Sequence, residues 1–394
     1  RFKRDVGASS TIGMVYTDRT EPGADFNRVL GTDARLILAG RYTLDVMAAA
    51  SADGSPGDPT QWGSLVSASL DRSGQRFSAE ASFKDIDDEF RAGSGFIRRT
   101  GITRVETEAR YSFLGERGDL VESVTPTLEA EGIWARDDFW AGQGPQESEL
   151  GLGLRTSFRG NIGTFLDVRR SSFDFDGDAY AAFRRGSSEV ALSPLSRAAG
   201  LFSGLYSVGF RSWVSRWERV RFSIDGGWRE TPLFASGLPV DLGESWSGNL
   251  GITVYPTGSM QAEVGARHVS IFRKRDGSRY SSATIPRLQA RYQISRTLFV
   301  RGIGEYSSQE RGDLLDPMTG ESVFTCEDEA CGVLAGSDSH DFRFEALLAY
   351  ERSPGSVFFL GYTRQFQDTA AFDFRRVQPV ADGFFVKLSY RFRM

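Results

Sequence analysis

The 394-residue chain has only 2 Cys and 2 His, and no apolar run approaches the ~18 uninterrupted residues a transmembrane helix needs. Two cysteines cannot build a disulfide framework, and this stock of Cys and His cannot fill several zinc sites, so a disulfide-stapled scaffold and a multi-zinc protein are excluded. A helical membrane bundle is excluded with them. Lysine is scarce: the 47 basic residues are nearly all arginine, and 52 acids outweigh them, so no basic excess marks a nucleic-acid partner. Disorder is ruled out by 12% aromatic residues and a formal net charge of only -5. The opening RFKRDVG has neither an initiator Met nor a signal-peptide apolar core, and is expected of a trimmed piece of a longer precursor. No cofactor or metal motif stands out.

What is present is period-2 alternation. Phe384, Val386, Leu388, Tyr390, Phe392 and Met394 interleave with Phe385, Lys387, Ser389, Arg391 and Arg393, so one face is apolar and the other mostly charged. Val220, Phe222, Ile224 and Trp228 alternate in the same way with Arg219, Arg221, Asp225 and Arg229. The pattern predicts strands near 5–17, 27–39, 42–52, 63–71, 75–84, 101–114, 119–135, 147–158, 161–170, 204–214, 219–229, 246–255, 259–271, 281–294, 297–308, 340–351, 356–366 and 383–394. Short connections such as Gly40-Arg41, Ser73-Gly74 and Pro256-Thr257-Gly258 alternate with long polar ones at 53–62, 85–100, 136–146, 171–203, 230–245, 272–280, 309–339 and 367–382. Strands apolar on one face only, with short turns at one end and long loops at the other, predict an all-β fold. The expectation is one transmembrane antiparallel β-barrel domain over 1–394, of about 18 strands, with short periplasmic turns and long extracellular loops.

Three stretches carry a family resemblance. They are Asn27-Arg28-Val29 leading into Gly31-Thr32-Asp33-Ala34-Arg35-Leu36, the segment from Glu89-Phe90-Arg91 through Gly95-Phe96-Ile97-Arg98-Arg99 to Ile102, and the ending Phe385 to Met394. Together they resemble the C-terminal outer-membrane β-barrel domain of unknown function that follows a family-9 carbohydrate-binding-type module in Gram-negative bacterial proteins. The middle stretch is the most specific. The resemblance implies a bacterial outer-membrane location and no established catalytic residues. Its implied partners are outer-membrane lipids, the barrel assembly machinery acting on the C-terminal strand, and an upstream binding module joined at Arg1 on the periplasmic side.

Within that reading the polar faces hold the candidate lumen residues. Strands over 204–294 place Arg211, Arg219, Arg221, Arg229, Arg267, Arg287 and Arg291 there against only Asp225 and Glu263. Strands over 75–158 place Glu106, Glu108, Glu129 and Glu131 there among arginines. Either the charges pair into cross-strand salt bridges that stiffen the wall, or they filter solutes by charge. Cys326 and Cys331 are close enough in sequence to close a small disulfide loop, set among Asp328, Glu329 and other acids. Asp174-Phe175-Asp176-Gly177-Asp178 mimics the start of a calcium loop, but Arg185 stands where the twelfth-position Glu belongs, so an EF-hand is rejected.

Catalysis has little support. His340 lies beside Asp338 and Asp341 without a nucleophile motif, and His268 is expected to face lipid. Trp62, Trp134, Trp228, Trp246 and Tyr306 near the long loops, with Tyr42, Phe113, Tyr292 and Tyr350 near the short turns, predict two interfacial girdles. The segment Leu195 to Phe202, after Pro194, is expected to form a short helical turn that folds inward and narrows the passage. The expected function is a pore or transport channel for small solutes, anionic or carbohydrate-related. The alternatives are an anchor or display barrel for the attached module and, further off, a barrel-embedded hydrolase.

Overall fold

A strand with one apolar and one charged face is stable only where its two sides meet different surroundings. In the computed structural model, among the described residues, twenty strands belong to one sheet and four short ones form a second. The structure describes every residue except 8, 24, 176, 188–191, 196–200, 328–329, 354, 376 and 392–394. Among the described residues no helix is long and apolar enough to cross a membrane. On the apolar face Leu152, Leu166, Val264, Leu288 and Val386 are each at least half exposed. Consecutive antiparallel strands with a bare apolar face and a charged one are the strand architecture of outer-membrane β-barrels.

The chain divides into two compact units, residues 1–156 with 167–175 and residues 157–166 with 176–394. The first is a meander of β1 (Phe2–Val6), β2 (Ser10–Thr20), β3 (Phe26–Leu38), β4 (Tyr42–Gly54), β5 (Gln61–Arg72), β6 (Phe77–Ile86), β7 (Ile102–Tyr111), β8 (Phe113–Leu114) and β9 (Val121–Ala135). Each pairs antiparallel with its neighbour, β7 and β8 both pairing with β9. Ala39 and Gly40 turn β3 into β4 with φ of 50° and 65°, the handedness that matches the twist of the flanking strands. A single helical turn, α1 (Arg136–Trp140), leads to β10 (Glu147–Phe158) and β11 (Ile162–Phe173), whose residues are shared between the units.

The second unit holds β12 (Phe183–Gly186), β13 (Ser193–Pro194), β14 (Leu205–Trp217), β15 (Val220–Ala235), β16 (Leu238–Thr257), β17 (Met260–Arg273), β18 (Arg279–Gln293) and β19 (Leu298–Arg311). It continues with β20 (Ser322–Glu327), β21 (Ala330–Val333), β22 (Ser337–Ser353), β23 (Ser356–Gln367) and β24 (Gln378–Ser389). The long strands β14 to β19 and β22 to β24 pair in chain order. β12 pairs with β13 and β20, and β20 with β21, making the small second sheet.

Several boundaries differ from the alternation pattern. The strand expected at 5–17 is a hairpin, because Gly7 at φ 64° reverses the chain between β1 and β2. The strand expected at 101–114 is interrupted at Ser112. The long loop expected at 230–245 is instead the tip of the β15–β16 hairpin, turned by Ser236 and Gly237 at φ 47° and 85°. Pro232, Pro239 and two glycines read as loop, yet Leu233, Val240 and Leu242 are buried there, and Tyr180 donates a hydrogen bond to the Pro239 carbonyl at 2.9 Å. Tertiary burial overrides local turn chemistry. The loops expected at 171–203 and 309–339 supply the second sheet. The helical turn expected over Leu195 to Phe202 falls mostly outside the described residues.

Candidate functional site

The polar face of the first unit is a lattice of ion pairs. Strand register sets Glu106 opposite Glu131 and Glu108 opposite Glu129, like charges that would repel across the ladder. Arginines placed between them remove that repulsion. Arg104 reaches Glu131 at 2.7 Å and Glu106 at 3.2 Å, and Arg110 reaches Glu108 at 3.4 Å. Arg169 gathers Glu129, Glu149 and Asp167 at 3.0, 2.6 and 3.3 Å. All four acids expected to be lumen candidates are therefore engaged by arginine. Such half-exposed pairs are worth at most about 1 kcal/mol each, so they hold side chains in place more than they stabilise the sheet.

Loop 87–101 lies folded onto the polar face of β3 to β5. Phe90 is 3% exposed, packed with Leu65 and Ile86 and flanked by Val29, Ala49, Ala92 and Ile97. The Asn27 amide is the main clamp: its Nδ2 donates to the Arg91 carbonyl at 3.1 Å and to Asp53 at 3.0 Å, and its Oδ1 accepts from Gly93 N at 2.7 Å. Ser51 Oγ accepts from Arg91 N at 3.1 Å, and Arg19 donates to the Gly93 carbonyl at 2.8 Å. Only glycine fits at position 63, because a Cβ there would lie 2.2 Å from Phe90 N and 2.3 Å from Phe90 Cα. A cavity of about 300 Å³ remains beside the loop, lined by residues including Arg19, Glu21, Asp25, Asn27, Asp53 and Arg91. Sequence reasoning singled out this stretch only as a signature. The signal it missed was a loop carrying its own apolar pair, Phe90 and Ile97, opposite a glycine in a strand.

The second unit treats its arginines differently. Arg287 shares Glu305 with Arg343, at 3.3 and 3.1 Å. Arg291 stacks over the Phe299 ring at 3.9 Å, and Arg221 over Tyr255 at 5.2 Å. Among the described residues, Arg211, Arg219, Arg229 and Arg267 have no carboxylate within 4.0 Å. The nearby acids are taken up by amides: Asn249 donates to Asp225 at 2.6 Å, and Gln261 to Glu263 at 2.7 Å. Register runs Arg211, Asp225, Asn249 and Arg267 in one row across β14 to β17. Beside that row lie Gly209, Gly227 and Ser247 on one side, and Ser223, Gly251 and Gly265 on the other. Trp213 and Val269 complete these rows, whose other members are small, and both Arg211 and Arg267 are exposed.

The remaining candidates resolve individually. Cys326 and Cys331 face each other across β20 and β21 and are disulfide-bonded, while Asp328 and Glu329 lie outside the described residues. Gly177 begins a single 3-10 turn, and Asp176 is not among the described residues. Among the described residues no group of three or more His, Cys, Asp and Glu could hold a metal. His340 is buried and meets Ser308 Oγ at 3.0 Å, with neither Asp338 nor Asp341 in contact, so the acid and histidine adjacent in sequence do not pair. Alternation points Asp341 to the opposite face, while Asp338, two residues from His340, shares its face without pairing with it.

Tyr306 is not a lipid-facing girdle residue. It is 3% exposed, covered by Phe372 and Phe374 from loop 368–377 at ring distances of 4.6 and 5.0 Å. Burial raises the Asp368 carboxyl, but the amides of Phe374 and Thr369 and the Tyr306 hydroxyl outweigh it and hold the group below the ordinary carboxylate range. Trp62 and Trp246 remain exposed on the apolar face.

No family model and no curated protein matches the sequence. Solved structures similar to it include the siderophore receptor PirA of Acinetobacter baumannii, at 9% identity and TM-score 0.44, covering 97% of this chain and 74% of that one. OmpT of Vibrio cholerae, an outer-membrane protein, is similar at 9% identity and TM-score 0.31, covering 84% and 89%. The CymD monoaromatic hydrocarbon channel is similar at 10% identity and TM-score 0.20, covering 91% and 82%. Scores this low do not bear on chemistry.

Proposed function

We propose that the chain is a bacterial outer-membrane β-barrel that passes small polar solutes, with anions favoured by the arginines of the second unit. The observation that carries the reading is the contrast between the two faces. Leucines and valines half exposed to the surroundings need hydrocarbon, whereas unpaired guanidinium groups on the opposite face need water or a passing anion, and only a barrel in lipid supplies both. The finer resemblance, to the barrel that follows a carbohydrate-binding-type module, makes carbohydrate-related anions reasonable solutes. It also brings the assembly machinery and an upstream module as expected partners.

A second reading is favoured by loop 87–101, whose clamp on the polar face would obstruct a passage and suit an anchor or display barrel. Planar-bilayer recording separates the two. The pore reading expects steady conductance and, across a KCl gradient, a reversal potential on the anion-selective side. Replacing Arg211, Arg229 and Arg267 together by Gln should abolish that preference. Absence of conductance from correctly folded protein would favour the anchor.

A further inference from the structure

We propose that Ser270, His268 and Thr284 form an acyl-transfer site that hydrolyses carboxylic esters of membrane lipids. His268 and Ser270 are two residues apart on β17 and so share a face, and register sets Thr284 of β18 directly opposite His268. Ser270 Oγ lies 2.8 Å from His268 Nε2, and Thr284 Oγ1 lies 2.8 Å from His268 Nδ1. These are the distances required between a nucleophile, its base and the group that orients the base. With the ring proton on Nδ1 and donated to Thr284, the Nε2 lone pair faces the Ser270 hydroxyl, the form a general base needs. Ser282 lies directly opposite Ser270, and its hydroxyl has no hydrogen-bond partner among the described residues, so it is free to donate to an oxyanion.

Position selects the substrate, and this step rests on the membrane reading. The apolar face of β17 runs through Met260, Ala262, Val264 and Ala266, and His268 is the first polar residue above it. Nine residues of strand rise about 27 Å, or about 20 Å at a tilt near 40°, close to the ~25 Å apolar band of outer-membrane barrels. The site therefore sits at the long-loop edge of the band, at the depth of lipid ester carbonyls. Leu250, Val264 and Leu288, all exposed, provide an apolar track for the acyl chain below it, and Trp246, opposite Ser270, provides a wall beside it. Ser270 is buried beside an exposed His268, whereas the His340–Ser308 pair, in the same cross-strand row, is buried at both residues and lacks a third group.

The chemistry balances with water alone. Ser270 Oγ bonds to the ester carbonyl carbon as its proton moves to His268 Nε2, and the carbonyl electron pair collects on the oxygen facing Ser282. Collapse breaks the carbon–alkoxy bond, and the departing alcohol takes the proton from Nε2. Water, deprotonated by the same nitrogen, then attacks the acyl-serine and releases the carboxylic acid with Ser270 restored.

The test uses the whole chain, with folding confirmed by heat-modifiable gel mobility. A fluorophosphonate probe should label Ser270, located by mass spectrometry. The protein should hydrolyse p-nitrophenyl palmitate in detergent and phosphatidylcholine in vesicles. Ser270→Ala and His268→Asn should each lower hydrolysis by about 10³-fold or more. Ser282→Ala should lower it by about a hundredfold while keeping the label. Thr284→Val should slow turnover, and Thr284→Ser should restore it, which a merely structural threonine would not require. An unlabelled Ser270 in folded protein, or a Ser270→Ala rate equal to wild type, overturns the site. Hydrolysis of p-nitrophenyl acetate but of neither lipid ester overturns the substrate class. Neither result depends on whether the barrel conducts.

Discussion

Replacing Gly63 by alanine should release loop 87–101 from the polar face. The new Cβ would overlap three backbone atoms, at 2.2 Å from Phe90 N, 2.3 Å from Phe90 Cα and 2.5 Å from Glu89 C, and no side-chain rotation relieves a backbone clash. Either β5 bows away, tearing ladder bonds to β4 and β6, or residues 89–93 lift by about 1 Å or more toward ordinary contact distance. The loop is the softer element, since side-chain clamps and one buried ring hold it. Full undocking forfeits about 2–3 kcal/mol for Phe90 and roughly 1 kcal/mol for each of the four hydrogen bonds that clamp the loop, up to about 7 kcal/mol. Partial lifting that breaks only the Asn27 and Ser51 bonds costs about 3–4 kcal/mol. Either loss is confined to the loop, because the strands keep their own ladder.

The assay is limited trypsin digestion of the folded protein, read at Arg91, Arg98 and Arg99, with bilayer conductance alongside. Gly63→Ala should be nicked at these sites at least a hundredfold faster than wild type, since 3 kcal/mol shifts the open population by about that factor. On the pore reading its conductance should also rise. Gly95→Ala is the matched control, because its Cβ would meet Ala92 Cβ at an ordinary 3.5 Å. Equal nicking of the two variants would refute the argument that the loop is held down through Gly63.

Asp85 should be costly to remove. It is buried and accepts from Thr103 at 2.6 Å, Arg136 at 3.0 Å and Trp140 at 3.3 Å, so Asp85→Ala should cost about 2–4 kcal/mol, read as a lower thermal midpoint of gel mobility. Arg110→Ala, whose side chain is 52% exposed in a 3.4 Å pair, should cost under about 1 kcal/mol, and equal losses would contradict the burial argument. Loop 368–377 should be acid-sensitive. The Asp368 carboxyl titrates lower in the folded protein than in the unfolded chain, so its stabilisation is complete above about pH 4 and is lost as pH falls through the folded value. Hydrogen exchange at the Phe372 and Phe374 amides, which donate to the Tyr306 hydroxyl and Asp368, should stay slow from neutral pH to about 4 after correction for intrinsic rates, and quicken below it. Protection that decays already near neutrality would assign the loop's order to another group.

Alternation alone decided most of the architecture. Period-2 patterning from Phe384 to Tyr390 or Val220 to Trp228 identifies strand, register parity and the bare face, because each residue's direction in a strand follows from its position. The Cys326–Cys331 bond was also legible, since a hairpin five residues apart leaves the two sulfurs little choice. Where loops go was not legible. Nothing local in 230–245 says that its prolines will be buried in a hairpin tip, and nothing in 87–101 says that Phe90 will find Leu65, because both outcomes depend on surfaces assembled from distant strands. The charged faces show the same division. Alternation placed Glu129 and Arg211 on polar faces alike, but only cross-strand neighbours decided that Glu129 is met by Arg169 while Arg211 has no carboxylate partner among the described residues. His268 is the sharpest case: its sequence position predicted an outward-facing side chain with Ser270 two residues on along the same face, but register alone brought Thr284 to its other ring nitrogen.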